Sequence, residues 1–275
     1  TLRAETIQAH LAQELKRYKP SSVHRHYRTI NRMFNYAIEM GYVIANPCAK
    51  VNPPRVPKGE MTIFTVAQIE AIAANITPRY RAFVLLLAYG GLRMSEAVGL
   101  RRFDIDGTRV TIGSQYQKIG KRWVRDDTKT AAGKRTIVLP TSIADELAAH
   151  ITTFAGTDAD ALVFTDTRGN PIGHAFRYGS WALACVKSGM GQREWASAKS
   201  NPNGPRHLRY PNIPHPHDLR HTSVALAIAA GAHPKTIQHR LGHSNISVTM
   251  DTYGHLFAGI DEQLAADLDA LRGST

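Results

Sequence analysis

Cysteine is scarce. The 275-residue chain has only Cys48 and Cys185, which excludes a disulfide framework and a cysteine-rich zinc fold. Long apolar runs are missing too. The most apolar stretch, Ala82–Leu92, is far short of the roughly 20 residues that cross a bilayer. No signal peptide opens the chain, so a reducing cytoplasm is the expected setting and no membrane partner is expected. Acidic residues are outnumbered, 22 against 34 Lys plus Arg, for a formal net charge of +12 with His neutral. A globular chain this basic meets a polyanion. Hydrophobic residues make up 43% and charged residues 20%, enough for a packed core and against wholesale disorder. There is no internal repeat and no low-complexity tract. At roughly 150 residues per domain, the length allows one large domain or two unequal ones. The chain opens on Thr1 rather than Met, which allows a trimmed fragment.

A boundary stands at Asn52-Pro53-Pro54-Arg55-Val56-Pro57-Lys58-Gly59, where three prolines forbid a continuing helix. The expected division is an N-terminal helical domain over 1–51, a linker over 52–63 and a second domain over 64–275. In the first, Ser21 and Ser22 can cap a helix that runs to about Met40 and is ended by Gly41. Val23, Tyr27, Ile30, Phe34 and Ala37 form one apolar stripe on it. Arg25, Arg28 and Arg32 fall opposite, with no carboxylate between them, and read as a face for the polyanion, whether DNA, RNA or an anionic membrane, rather than an ordinary solvated face.

The second domain reads as mainly α with a small antiparallel β-sheet. Thr65 and Gln68 make a capping box for a helix through about Ala74, and Pro78–Tyr89 reads as a buried helix ended by Gly90-Gly91. Arg109–Ile112, Arg122–Val124 and Arg135–Leu139 suggest one three-stranded sheet. Thr141 caps a helix over Ile143 to about Phe154, and another runs from about Ala175 to Lys187. Gly189–Pro216 reads as a mobile excursion, either a basic loop that contacts DNA (Arg193, Lys199, Arg206, Arg209) or a variable insertion. Helices follow over about His217–Ala230 and Pro234–Leu241, then a short turn or helix near Ile246 and a last helix from about Ile260.

Four segments carry unusual polar content: Gly90-Gly91-Leu92-Arg93-Met94-Ser95-Glu96, His217-Asp218-Leu219-Arg220-His221-Thr222, Leu241-Gly242-His243-Ser244 and Thr249-Met250-Asp251-Thr252-Tyr253-Gly254-His255. Helical spacing puts His217, Arg220 and His221 on one face. His-x-x-x-His is a metal-ligand spacing, but Asp218 replaces the protease glutamate and a guanidinium between the ligands would repel a cation. An anion site suits the face better.

In chain order these segments read Arg, His-x-x-Arg, His, Tyr, with Tyr253 ten residues after His243. The pattern resembles the signature of the tyrosine recombinases, or phage-type integrases, over about Phe64–Phe257. The likeness reaches more loosely back to about Thr6, where Ser21–Val51 looks like the second half of a core-type DNA-binding domain. The resemblance implies a recombinase-type catalytic domain with Arg93 and Arg220 as the two catalytic arginines, His217 and His243 as the histidines and Tyr253 as the nucleophile. It also implies a Lys on a β-turn, for which Lys129 is chosen over Lys134, Lys121 and Lys118. Glu96 is expected to buttress Arg93. Phage integrases commonly carry a further N-terminal arm-binding domain, which this sequence does not show.

These residue types suit attack on a DNA phosphodiester. Arginines pair with the non-bridging oxygens, and the imidazoles add donors. An ammonium can protonate the leaving 5′-oxygen. No metal or other cofactor is needed, and the resemblance implies a 3′-phosphotyrosine intermediate that religates without ATP. Expected partners are double-stranded DNA at attachment or core-type sites, a homotetramer on that DNA, and DNA-bending and directionality factors. The expected role is integration and excision of a phage or mobile element. Two alternatives stand beside it: a type IB topoisomerase-like enzyme and a non-catalytic DNA-binding protein. The apolar face Ile260, Leu264, Leu268, Leu271, which in the family docks on a neighbouring protomer, argues against the first. The complete Arg, Lys, His and Tyr set argues against the second.

Overall fold

The computed structural model describes residues 2–57, 61–120, 122–127, 133–197 and 206–257, with 265, 268–270 and 272. The chain divides into two compact units, Thr1–Glu60 and Met61–Thr275.

The first unit holds α1 (Ala4–Glu14), α2 (Pro20–Glu39) and a 3-10 turn (Pro47–Lys50). Ile7 and Leu11 of α1 pack with Val23, Cys48 and Val51, against which Tyr27, Ile30 and Phe34 also lean. The apolar stripe of α2 therefore faces the core, and Arg25, Arg28 and Arg32 are exposed on its other side. Ser21 and Ser22 do not cap α2. Lys19 holds the N-cap position without a side-chain bond, and the helix starts at Pro20. A proline fits there because the first-turn amide it lacks has no helical partner anyway. Gly41, at φ +72°, follows the helix end. The stretch after the 3-10 turn is extended and tied back: Gln8 and Asn52 exchange two hydrogen bonds, and the Pro54 carbonyl meets His24.

The second unit is built around α4 (Pro78–Gly90), whose residues Ala82–Ala88 are all buried. α3 (Val66–Asn75), α6 (Thr141–Phe154) and α9 (Asp218–Ala229) pack on it. Trp181, Phe83 and Phe164 are the largest fully buried side chains of this core, with Phe64 and Phe176 beside them. The capping box at Thr65 and Gln68 forms as expected. Thr141, in contrast, makes no cap bond. Pro140 takes the N-cap, and Thr141 is the first helical residue. α5 (Met94–Val98) is a short helix after Gly91. α7 (His174–Phe176), a π turn (Arg177–Trp181) and α8 (Ala182–Lys187) run on without a break.

The single expected sheet is two. β2 (Arg109–Ile112) pairs antiparallel with β1 (Ile105–Asp106) and with β5 (Arg135–Val138), so that Val110 meets Ile137 and Ile112 meets Arg135. The strand over β4 (Arg122–Asp127) joins β3 (Ser114–Ile119) in a separate hairpin, Ser114 opposite Asp127 and Ile119 opposite Arg122. β3 reads Ser-Gln-Tyr-Gln-Lys-Ile, polar and poor in β-branched residues, and carries little strand signal of its own. Once it forms, its sequence neighbour β4 pairs with it across a short turn.

The excursion after Gly189 is not wholly irregular: β6 (Glu194–Ala196) and β7 (His207–Arg209) form a hairpin. Lys199 lies outside the described residues. The helical remainder comprises α9, α10 (Pro234–Leu241) and α11 (Ile246–Tyr253). The expected last helix falls mostly outside the described residues, as do Ile260, Leu264 and Leu271; Leu268 is exposed. No helix among the described residues is long and apolar enough to cross a membrane.

Candidate active site

Glycine shapes the floor of the site. α4 ends at Gly91, whose φ of +69° is left-handed and whose position a Cβ would fill against Ser223 Oγ at 2.8 Å. The turn leaves the Gly91 carbonyl free to accept 2.5 Å from Arg220 Nη1. α10 ends the same way at Gly242, φ +63°. Its unpaired Leu241 carbonyl accepts from Arg220 Nη2 at 2.7 Å and from Arg93 Nη1 at 3.4 Å. Two helix C-termini, each carrying partial negative charge, thus aim two arginines.

Glu96, 2% exposed, is the counter-charge. Its carboxylate accepts from the Arg93 amide at 2.9 Å and Arg93 Nη1 at 2.7 Å. Arg135 adds a two-pronged pair at 3.3 and 2.8 Å, and Arg220 Nη1 stands 4.0 Å away. Burial works to raise the Glu96 carboxyl, but the hydrogen bond and charge of Arg135, then Arg93, hold it below the usual range. Three guanidiniums face one carboxylate, so the cluster keeps an excess of positive charge suited to an anion. Arg135 is buried and Arg93 partly open to solvent. Burial, then repulsion from Arg93, pulls Arg220 down to about 9, still charged at neutral pH.

His243 accepts from Arg220 Nη2 through Nε2 at 3.2 Å. Arginine has only donors, so the imidazole proton sits on Nδ1, 3.0 Å from Thr249 Oγ1. Burial, then Arg220, pulls His243 down to about 4. His217, at the N-cap of α9, also falls to about 4, through burial and then His221. Both rings are neutral at pH 7. His217 meets His221 edge-on, ring centres 5.2 Å apart.

Tyr253 ends α11 and is 3% exposed. Its hydroxyl is 2.7 Å from His221 Nδ1. Burial raises its pKa, and Arg220 only partly offsets this.

The structure therefore brings together Arg93, His217, Arg220, His243 and Tyr253. Lys129 and Lys121 lie outside the described residues. Of the other lysines weighed, Lys118 stacks on Trp123 at 5.9 Å and Lys134 is exposed, one residue from the buried Arg135. Arg25, Arg28 and Arg32 belong to the other unit. Arg135 was given no role by sequence reasoning, and His221 only a place on an anion-binding face. The signal for Arg135 was present: in Arg135, Ile137 and Leu139 an inward-facing alternation begins on a charge. His221 shares the helical face of His217, but no spacing rule ties it to Tyr253. Among the described residues no cluster of three or more His, Cys, Asp or Glu is placed to hold a metal.

The model of the Phage integrase family matches residues 62–259. The integrase of Mycobacterium phage FRAT1 is 27% identical over 262 residues, covering 93% of this chain and 72% of that protein. That of Mycobacterium phage L5 is 26% identical over 261 residues, covering 93% of this chain and 64% of that protein. A XerC-like tyrosine recombinase of Caldanaerobacter subterraneus is 25% identical, covering 82% of this chain and 60% of that protein. The chain thus spans about two thirds of the length of these relatives. Among solved structures, the Tn1549 transposon integrase in complex with a circular intermediate DNA matches with a TM-score of 0.75 at 20% identity, covering 98% of this chain and 86% of that one. A lambda integrase dimer bound to a core site matches at 0.62 and 18%, covering 90% and 81%. The fold is theirs, and with the family model spanning most of the sequence, the chain belongs to the phage integrase family, the tyrosine recombinases, whose members are DNA strand-exchanging enzymes.

Proposed function

We propose that this chain carries out site-specific recombination, integrating and excising a phage or mobile element through a 3′-phosphotyrosine intermediate. One observation carries the reading. Arg93, Arg220, His243 and Tyr253, from four separate stretches of sequence, converge in one cluster that carries excess positive charge and a buried tyrosine.

In this reading a scissile phosphate enters beside Arg93 and Arg220. The guanidiniums are already aimed by the Gly91 and Leu241 carbonyls, so little reorganisation is needed as charge grows on the non-bridging oxygens. His217 and His243, neutral, offer one N–H each. For His243 to donate through Nε2, its proton must leave Nδ1 or a second must arrive, since Nε2 accepts from Arg220 in the free chain. Tyr253 attacks phosphorus, and the Lys129 ammonium protonates the departing 5′-oxygen. Arg25, Arg28 and Arg32, exposed on α2, make the N-terminal unit a core-type DNA-binding domain by pairing with backbone phosphates. The division into that unit, a linker near 52–63 and a catalytic domain follows the same reading. The Tn1549 and lambda integrase structures hold DNA, which supports double-stranded DNA as substrate. A homotetramer on DNA, with bending and directionality factors, completes the exchange.

The test is a nicked suicide duplex carrying the junction sequence that flanks the encoding element in its genome. Full-length protein should form a denaturant-resistant adduct, and strand exchange should follow on intact duplexes. Relaxation of supercoils without exchange would favour the topoisomerase-like reading instead.

A further inference from the structure

The tyrosine must lose a proton as it attacks. Its hydroxyl, on a buried side chain, touches one side chain among the described residues that can take it: His221 Nδ1, at 2.7 Å. A phenol at neutral pH still carries its proton, so it donates and Nδ1 is the bare nitrogen, leaving the imidazole proton on Nε2. The groups around His221 are Asp218, Arg220 and His217 on its own helix α9 and Tyr253 on α11. Burial lowers the His221 pKa, Asp218 works against that, and Arg220 adds to it. The ring is neutral at pH 7 and able to accept. His243 cannot do the same, because Arg220 occupies its bare nitrogen.

We infer that His221 takes the phenolic proton of Tyr253 during strand cleavage, an assignment resting on Tyr253 as nucleophile. The step balances. The Tyr253 O–H bond breaks and its proton passes to Nδ1, giving an imidazolium. The tyrosine oxygen–phosphorus bond forms, the phosphorus–5′-oxygen bond breaks, and the leaving oxygen takes its proton from the Lys129 ammonium. Religation runs the same transfers backwards, with the imidazolium returning its proton to the departing phenolate. His221 thereby touches the reacting atom, and His217, edge-on behind it, is left to the phosphate.

The experiment is single-turnover cleavage of the nicked suicide duplex by full-length wild type, His221→Asn and His221→Ala, from about pH 5 to 9. Asparagine puts an amide oxygen near the Nδ1 position, so it can still hold the hydroxyl but cannot keep a proton. His221→Asn should be slowed by roughly 10²–10⁴-fold. It should also lose the fall in rate that wild type shows as pH drops through the lowered His221 pKa. Gel-shift affinity for the same duplex should be unchanged in both variants. Added imidazoles should speed His221→Ala, the more basic ones more. If His221→Asn cleaves at the wild-type rate with the wild-type pH profile, or if His221→Ala ignores every imidazole, the inference is overturned. An adduct formed by Tyr253→Phe would overturn the nucleophile assignment itself, and is seen without any His221 variant.

Discussion

The two histidines that flank the arginine cluster contribute to the chain's response to acid. In an unfolded chain they titrate near ~6.5, but folded they are held to about 4. Between those values the unfolded chain binds protons that the folded chain refuses. Stability from these groups is therefore complete above the unfolded value and is lost as pH falls through the window. Unfolding free energies from urea titrations should drop between pH 7 and 5, by on the order of 1–2 kcal/mol per imidazole, and the drop should shrink in His217→Gln with His243→Gln. An undiminished drop in the double variant would place the acid sensitivity elsewhere. Lys129, the proposed proton donor, makes a second expectation. Lys129→Ala should cleave ordinary DNA roughly 10²–10⁴-fold more slowly. A 5′-bridging phosphorothiolate, whose sulfur leaves without needing a proton, should restore most of that rate. Arg93→Ala and Arg220→Ala should gain no comparable rescue, because they act on oxygens the sulfur does not replace. Rescue of Lys134→Ala instead would move the donor by five positions. At this scale the sequence showed residue types and order well, because each local word is short and carries its own chemistry. It did not show the bond between His221 and Tyr253, which depends on how α9 and α11 pack.

Among the elements, the turn at Gly91 matters most to the site. It must adopt left-handed backbone, clear Ser223 and present a carbonyl to Arg220 all at once. Gly91→Ala should destabilise the second unit by about 1–3 kcal/mol. It should also slow cleavage more than the lost stability explains, since the Arg220 aim shifts with the carbonyl. Thermal melts and single-turnover rates on the same preparation separate the two effects; full activity would mean the turn is only a connector. Elements with local signals were legible: the Thr65–Gln68 box opens α3, and the continuous apolar run of α4 reads as a buried helix. β3 was not legible, since its strand character comes from pairing with β4 rather than from its polar residues. Missing it merged two sheets into one. Thr141, Ser21 and Ser22 misled for a related reason: a neighbouring proline had already fixed where each helix starts.

For the whole molecule, charge decides how it meets DNA. With a formal net charge of +12, binding should weaken steeply with salt as condensed counterions are released. Arg25, Arg28 and Arg32 are exposed on one face of α2. If each neutralises a phosphate, the triple alanine variant should lower the log–log salt slope by roughly three. An unchanged slope would make the stripe an ordinary solvated face. The three prolines after Asn52 lie just ahead of the boundary between the two compact units, Thr1–Glu60 and Met61–Thr275. The helix α1 that completes the first core carries a weak signal, since only Ile7 and Leu11 of it are buried there, with Ala4 packed alongside. The account as a whole turns on the tyrosine. Wild-type protein should be trapped on the nicked suicide duplex, digested, and its DNA-linked peptide sequenced by mass spectrometry. The account predicts a nucleotide 3′-phosphate on Tyr253 and no linked peptide from Tyr253→Phe. A linkage to any other residue, or an undiminished adduct in the phenylalanine variant, would contradict it.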